Sequence, residues 1–425
     1  MEYLTLNAAQ QCILQHITTL GVEQVKLEAS LGRVLAEQVR SNRDHPPYDV
    51  SAMDGYAVRA ADLQHIPAIL VQVEDIKAGA MPTMAVLPGQ CARIMTGAPI
   101  PQGADTVIRV EDTQASGTVG SGGYKVQINQ PAKLGADIRL RGENLRNGAE
   151  VFEPGVEITP GVLGILAMAK RAQVAVYRQP RVAILSNGDE LEGLDEPFDA
   201  NKIPDANSYT LLAQVQALGI EPVLLGIARD DPLELSQYIM RGLAFDVLLI
   251  SGGTSVGVYD FVRSTIEALG IHMHFWRVAI RPGHPIAFGT TPESSVFCLP
   301  GNPVSSMVCF EQFVAPALRS QMGHRRIYRR TLLVRLAHDV KHRPGRTEFV
   351  RVTLSRDAAG YVATATGSQG SGVLMSMVHA DSLLYVPQNS NGLAEGDKVM
   401  VQLLDGTGFQ EYSGFQEDCA AKGKA

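Results

Sequence analysis

Residue types suited to ligand chemistry concentrate in three loops: SNGDEL (186–191), SGGTSVG (251–257) and LPGNPVSS (299–306). In the second, Gly252, Gly253 and Gly257 let the backbone come close to a ligand, while Ser251, Thr254, Ser255 and free N–H groups can hold phosphate oxygens. Carboxylates stand beside these loops: Asp189 and Glu190, Asp230 and Asp231, and Asp260. Hard oxygen ligands next to a phosphate site suit Mg²⁺, which takes one or two carboxylates together with substrate oxygens. Helix capping is the structural alternative for Asp230 and Asp231, which precede Pro232. In RVAIRPGHP (277–285), Arg277, Arg281 and His284 surround a rigid turn, and guanidinium forks match tetrahedral oxyanions. A solvated basic turn is the alternative there. His272 and His274 share one strand face, and without a third ligand they read as structural rather than metal-binding. Neither GxGxxG nor GxxxxGK[ST] occurs, which removes support for dinucleotide and P-loop chemistry, and HExxH is also absent.

The elements that must position these loops alternate between 179 and 325. Apolar runs RVAILS, EPVLLGIA, DVLLIS and SVFCLP are interleaved with amphipathic SYTLLAQVQALG, DPLELSQYIMRGLA, DFVRSTIEALG and SSMVCFEQFVAPALRSQM. That alternation predicts a doubly wound parallel sheet covered on both faces, with ligands at the strand C-termini. Residues 1–41 read as N-terminal helices that form a helical linker domain with 149–178, where Thr159 and Pro160 start a helix. Between them, 42–148 reads as an inserted β-rich domain. Residues 326–411 return to alternating strands and predict a C-terminal β-barrel, followed by a flexible tail over 412–425.

Composition bounds the partners. Lys and Arg total 37 against 44 Asp and Glu, a net charge of −7, which argues against a general nucleic-acid binder. The apolar stretch 162–169 is far too short to span a bilayer, and the N-terminus lacks the pattern of a secretory signal. The five cysteines are odd in number and form no CxxC pair, which fits a reducing cytoplasm.

The motifs PPYDVSAMDGYA (46–57), RIMTGAPIPQGAD (93–105), LRGEN (140–144), SNGDEL, ISGGTSVGVYDF (250–261), RPGHP, LPGNPVSS and GSQGSG (367–372), in that order, resemble the molybdopterin molybdenumtransferase (MoeA-type) family. The resemblance implies an α/β multi-domain enzyme with a doubly wound MogA-like domain. It implies that adenylylated molybdopterin and molybdate are taken up, the pyrophosphate linkage is cleaved, AMP is released and molybdenum stays on the dithiolene sulfurs. It also implies Mg²⁺, a homodimer, and contact with other molybdenum-cofactor biosynthesis proteins. A non-catalytic molybdopterin-binding scaffold and a molybdopterin adenylyltransferase are the competing readings.

Matched residue by residue, the resemblance assigns catalysis to Asp54, Thr96, Glu190, Asp230 and Asp260, with Glu190, Asp230 and Asp260 on the metal. It assigns substrate and molybdate binding to Ser251, Gly252, Gly253, Ser255, Arg277, Arg281, His284, Pro300, Asn302, Ser305, Arg346 and Ser371. The chain departs from the family pattern at Arg277, Arg281 and His284, where Lys is common, at Asn144, where Asp is common, and at Asn187, where Thr is common. With an unperturbed pKa near ~6.5, His284 would tighten molybdate binding as pH falls from about 8 to 6.

Overall fold

The computed structural model describes residues 3–116, 124–197, 199–253 and 261–404. They divide into two units, one comprising 1–23, 32–34 and 176–425, the other 24–31 and 35–175. Thr254, Ser255, Gly257 and Asp260, with the tail expected over 412–425, lie outside the described residues.

The larger unit is built on a six-stranded sheet in the order Val223–Ala228, Val182–Asn187, Val247–Ser251, Ser295–Leu299, Ala287–Thr290, His272–Phe275. The first four strands are parallel, as the continuous apolar runs predict. The last two are antiparallel, so the sheet is mixed at that edge. Their short connections explain the difference, because a parallel return needs a crossover of a dozen residues or more. Successive strand residues point to opposite faces. Ile184, Leu249 and Phe297 pack with the helices Leu6–His16, Ala206–Gln216 and Pro303–Cys309, while Leu185, Leu248 and Val296 pack with Pro232–Gly242 and Phe261–Ala268. Both faces are therefore dry. The strand order reverses direction between Val182–Asn187 and Val247–Ser251, which makes their C-terminal ends the switch point at which ligands bind in such sheets.

The same unit contains a closed five-stranded barrel. Thr347–Asp357 pairs with Gly360–Ala365, which pairs with Thr331–Leu336, then Lys398–Leu403 and Ser382–Val386, and the last pairs back onto the first. Val334, Val350, Val352, Leu384 and Val401 fill it. Ile280–Arg281 lies parallel to Thr347–Glu348 and so fastens the RPGHP turn to the barrel wall.

In the smaller unit, a six-stranded sheet runs Thr106–Arg109, Gly55–Val58, Gln90–Ile94, Ala68–Ile76, Tyr124–Ile128, Thr113–Ser116. Tyr56, Ile108 and Val126 line one core, and Ala57, Ile94 and Val107 line another.

Of the helices expected over 1–41, only Leu6–His16 is an α-helix among the described residues, and Thr5 caps it through its hydroxyl. Over 30–39, Gly32 takes a left-handed φ of 76°, and the amides of Leu35 and Ala36 donate to the carbonyls of Val156 and Ala175. The segment is held by non-local backbone bonds that helical periodicity cannot anticipate. The helix expected after Thr159 is present as Pro160–Met168. Among the described residues no helix is long and apolar enough to cross a membrane.

Candidate functional site

At the switch point, two glycines are required by their surroundings. Gly252 (φ 97°) and Gly253 (φ 63°) have left-handed backbones, and a Cβ on the first would strike the Asn187 carbonyl, on the second the Val262 side chain. Side chains hydrogen-bond the loops together. Asn207, in the first turn of Ala206–Gln216, donates from Nδ2 to Ser251 Oγ at 2.8 Å and to the Gly301 carbonyl at 2.7 Å. Ser186 Oγ donates to Asp205 Oδ1 at 2.9 Å, and Asp205 caps the same helix by accepting from the Ser208 amide at 3.1 Å. The three loops that the sequence singled out are thus joined over their described residues.

Asn187 Nδ2 donates to Asp230 Oδ1 at 2.7 Å, and the Asp230 amide donates to Asp189 Oδ1 at 3.1 Å. This separates the two consecutive aspartates. Asp231 accepts from the Glu234 amide at 2.8 Å and is the helix cap, whereas the Asp230 carboxylate faces the loop. Glu190 is exposed, and its carboxylate lies over Gly188 so closely that a Cβ there would collide with it. Arg229 donates to the Leu191 carbonyl at 2.7 Å and holds the loop from beneath.

Two buried amide oxygens, Asn187 Oδ1 and Asn207 Oδ1, have no hydrogen-bond partner among the described residues. Because each amide nitrogen is committed to an acceptor, the orientation of both side chains is fixed by the network. A buried acceptor left unpaired is costly unless a ligand donor or a cation meets it. Asn187 Oδ1 and the Asp230 carboxylate that the same side chain holds are hard oxygen groups, the donor type that Mg²⁺ takes.

The oxyanion candidates gather around the RPGHP turn. Gly283 (φ 105°) accepts a bond from Cys309 Sγ at 3.3 Å, which presses the turn onto Pro303–Cys309. On that helix Ser305 is buried, and the Val304 amide donates to the Ser371 carbonyl at 3.2 Å, drawing in the GSQGSG loop. Pro300 is buried, and Asn302 occupies the cap position without a side-chain capping bond. Arg281 is paired with Glu348 at 3.5 Å, and Glu348 also bonds His342 at 2.8 Å. Burial and the nearby charges of Arg346 and Arg277 push the His284 imidazole below its ordinary pKa.

Motif spacing did not point to Arg351. It is 2% exposed, bonds Ser376 Oγ at 3.2 Å and the Phe349 and Gly370 carbonyls, and burial drops its pKa to about 10. Asn207, Asp205 and Glu348 were likewise missed. For Asn207 the only cue is a polar pair opening an otherwise apolar helix.

In the smaller unit, Asp54 Oδ1 accepts from the amide and the hydroxyl of Thr96, both at 2.7 Å. Those two bonds hold the Asp54 carboxyl below the usual carboxylate range. Asn144 is turned to Met168 Sδ at 3.9 Å, a contact that needs no negative charge.

Family models cover most of the chain: the MoeA N-terminal region (domain I and II) matches 4–169, the probable molybdopterin binding domain 183–320, and the MoeA C-terminal region (domain IV) 334–404. The molybdopterin molybdenumtransferase of a Nostoc species is 37% identical over 392 residues, covering 90% of this chain and 88% of its own. That of Haemophilus influenzae is 33% identical over 405 residues, covering 94% and 98%. The crystal structure of a molybdopterin biosynthesis MoeA protein from Pyrococcus horikoshii superposes with a TM-score of 0.80 at 29% identity, covering 95% of this chain and all of that one. The chain belongs to the MoeA family, with a role in molybdenum cofactor biosynthesis.

Proposed function

We propose that this chain is a molybdopterin molybdenumtransferase that takes adenylylated molybdopterin and molybdate, cleaves the pyrophosphate linkage, releases AMP and leaves molybdenum on the dithiolene sulfurs, working in the cytoplasm as a homodimer with Mg²⁺. The observation that carries this reading is the pair of unpartnered buried oxygens, Asn187 Oδ1 and Asn207 Oδ1, on side chains bonded to the loops at the strand C-termini. An acceptor among backbone N–H groups suits a ligand that carries both N–H donors and phosphate oxygens, as an adenylylated pterin does.

The residues divide the work. Gly252, Gly253 and Ser251 receive the pterin and its phosphates, with Ser255, Pro300 and Asn302 on the same loops. Glu190, Asp230 and Asp260, aided by Asn187, would hold Mg²⁺ on the linkage. The cation supplies Lewis acidity where negative charge builds as the P–O bond breaks. Asn187 orients the Asp230 carboxylate through its 2.7 Å bond before substrate arrives. Arg277, Arg281, His284, Ser305, Arg346 and Ser371 receive molybdate, and the Glu348 carboxylate holds the Arg281 guanidinium in place until the dianion competes for it. Asp54 and Thr96 supply a preformed carboxylate–hydroxyl pair from the smaller unit.

The test is AMP release from adenylylated molybdopterin with molybdate and Mg²⁺, in the wild type and in Asp230→Asn and Glu190→Gln. Loss of one electrostatic stabiliser should lower kcat by about 100-fold or more with little change in KM. Substrate binding without AMP release in the wild type would make the chain a binding protein. ATP consumption with molybdopterin would make it an adenylyltransferase. Full turnover in both variants would remove the two carboxylates from the mechanism.

A further inference from the structure

On the far edge of the doubly wound sheet, a second group of side chains can do chemistry that the loop site does not use. Cys12 and His16 stand one turn apart on the helix Leu6–His16, so they share a face. That face meets the edge strand His272–Phe275, and His274 completes a trio whose ligand atoms all lie within 4.8 Å of one another. The His16 and His274 ring centroids are 3.7 Å apart, and His272 meets His274 edge-on at 4.8 Å. The sequence alone offered His272 and His274 without a third ligand; the fold brings two more from residues more than half the chain away.

The hydrogen bonds around the trio prepare it for a cation. His16 Nδ1 is 2.8 Å from the Cys12 carbonyl, so it carries the proton and leaves the Nε2 lone pair available. His274 Nε2 is 2.9 Å from Thr290 Oγ1, which leaves Nδ1 available when Nε2 donates. Binding one ring nitrogen to a protein oxygen so that the other presents its lone pair is how metal-ligating histidines are oriented. On its other side the His274 ring stacks on Phe288 at 5.4 Å, which limits its rotation. Burial, together with His16 and His272, pushes the His274 imidazole below its ordinary pKa, which keeps it neutral. Burial raises the Cys12 thiol, so a metal must displace its proton.

We propose that Cys12, His16 and His274 form a binding site for a borderline divalent cation, Zn²⁺ being the best match to one thiolate and two imidazoles. Binding forms one metal–sulfur and two metal–nitrogen bonds and releases the Cys12 thiol proton to solvent. In a tetrahedral site, ligand atoms sit about 3.3–3.6 Å apart for metal–ligand bonds of about 2.0–2.3 Å, so the trio closes by roughly 1 Å through side-chain rotation. Three protein ligands leave a fourth position for water or for His272. Carboxylate-seeking Mg²⁺ is not accommodated, because the set contains no oxygen ligand. The site would tie the helix Leu6–His16 to the sheet edge, and it is separate from the three-loop site.

The purified full chain, stripped with a chelator, is titrated with Co²⁺ as a spectroscopic stand-in. The expected result is one equivalent bound with thiolate-to-cobalt charge-transfer absorption and tetrahedral visible bands, both displaced by Zn²⁺. In Cys12→Ser the charge-transfer absorption should vanish. In His16→Gln and His274→Gln, Zn²⁺ affinity, measured by competition with a chromophoric chelator, should fall by about 100-fold, at least the loss that follows removal of an orienting partner. Circular dichroism establishes that each variant is folded. Failure of the folded wild type to develop the charge-transfer absorption overturns the proposal, and so does absorption that persists unchanged in Cys12→Ser, since that would place the metal on another cysteine.

Discussion

At His284 the charge offered to a bound oxyanion is set by its neighbours. A solvated histidine titrates near ~6.5, but burial and the guanidinium charges of Arg346 and Arg277 favour the neutral ring. The neutral ring is therefore favoured, and in that form it can offer an oxyanion a single N–H donor. Protonation is reached only at lower pH, which moves the response out of the range of about 8 to 6 that an unperturbed histidine implies. Molybdate affinity should be flat from about pH 8 to 7 and tighten only below the ordinary histidine range. His284→Lys, charged throughout, should bind more tightly at neutral pH and show no such upturn. Dissociation constants from calorimetry across this range check it. A steep change between pH 8 and 7 in the wild type would mean that the neighbouring arginines do not act on His284 as the geometry implies.

Among the elements, the strand Val247–Ser251 carries the glycine loop, and its entry is held by Asp246. That carboxylate accepts from Arg178 Nη1 at 2.8 Å and Nη2 at 3.0 Å, and from the Arg181 amide at 2.7 Å. Burial alone would raise its pKa; the fork from Arg178 and the bonds from Arg181 more than offset this and hold it at about 2. The Asp246 side chain is 10% exposed but that of Arg178 is 35% exposed, so solvent screens the pair in part and lowers what it contributes. A folded pKa below the unfolded one contributes stability above about pH 4, and that contribution is lost as pH falls through about 2. Asp246→Asn should therefore lower unfolding stability by about 2 kcal/mol at pH 7, read as a shift in urea midpoint, with the deficit shrinking toward pH 2. An equal deficit at both pH values would assign the loss to packing. The strand itself was legible, because DVLLIS is apolar on both faces and a helix follows it. Asn207 and Arg351 were not legible, since what marks them is a bond to Ser251 in one case and to the Gly370 loop in the other, across sequence distances that no local pattern encodes. The segment 30–39 misled for the same reason. Its apolar spacing suits a helix, but its amides are bonded to residues more than a hundred positions away. Asp54, Thr96 and the three loops were legible only because their motifs are contiguous.

For the whole molecule, the candidate site residues are divided between the two units: Asp54 and Thr96 lie in one, the three loops and the barrel in the other. If the active protein is a homodimer whose subunits share this work, mixing inactive Asp54→Ala and Asp230→Ala proteins under conditions of subunit exchange should restore part of the activity. At random mixing about half of the dimers are mixed, and each of these carries one intact set, so recovery approaching a quarter of wild-type activity is expected. Light scattering fixes the mass, and no recovery despite proven exchange would show that each subunit works alone.

The helix Leu6–His16 buries Leu6, Ala9 and Ile13 in a core completed by Phe275, Val278, Phe313 and Leu318. On the ribosome this helix emerges before everything it packs against, and the whole of the smaller unit is synthesised in between. At about 5–20 residues per second, its apolar face waits on the order of tens of seconds for its partners. During that interval the smaller unit can close its own cores while the first helix stays undocked, a nascent-chain intermediate with an exposed apolar face.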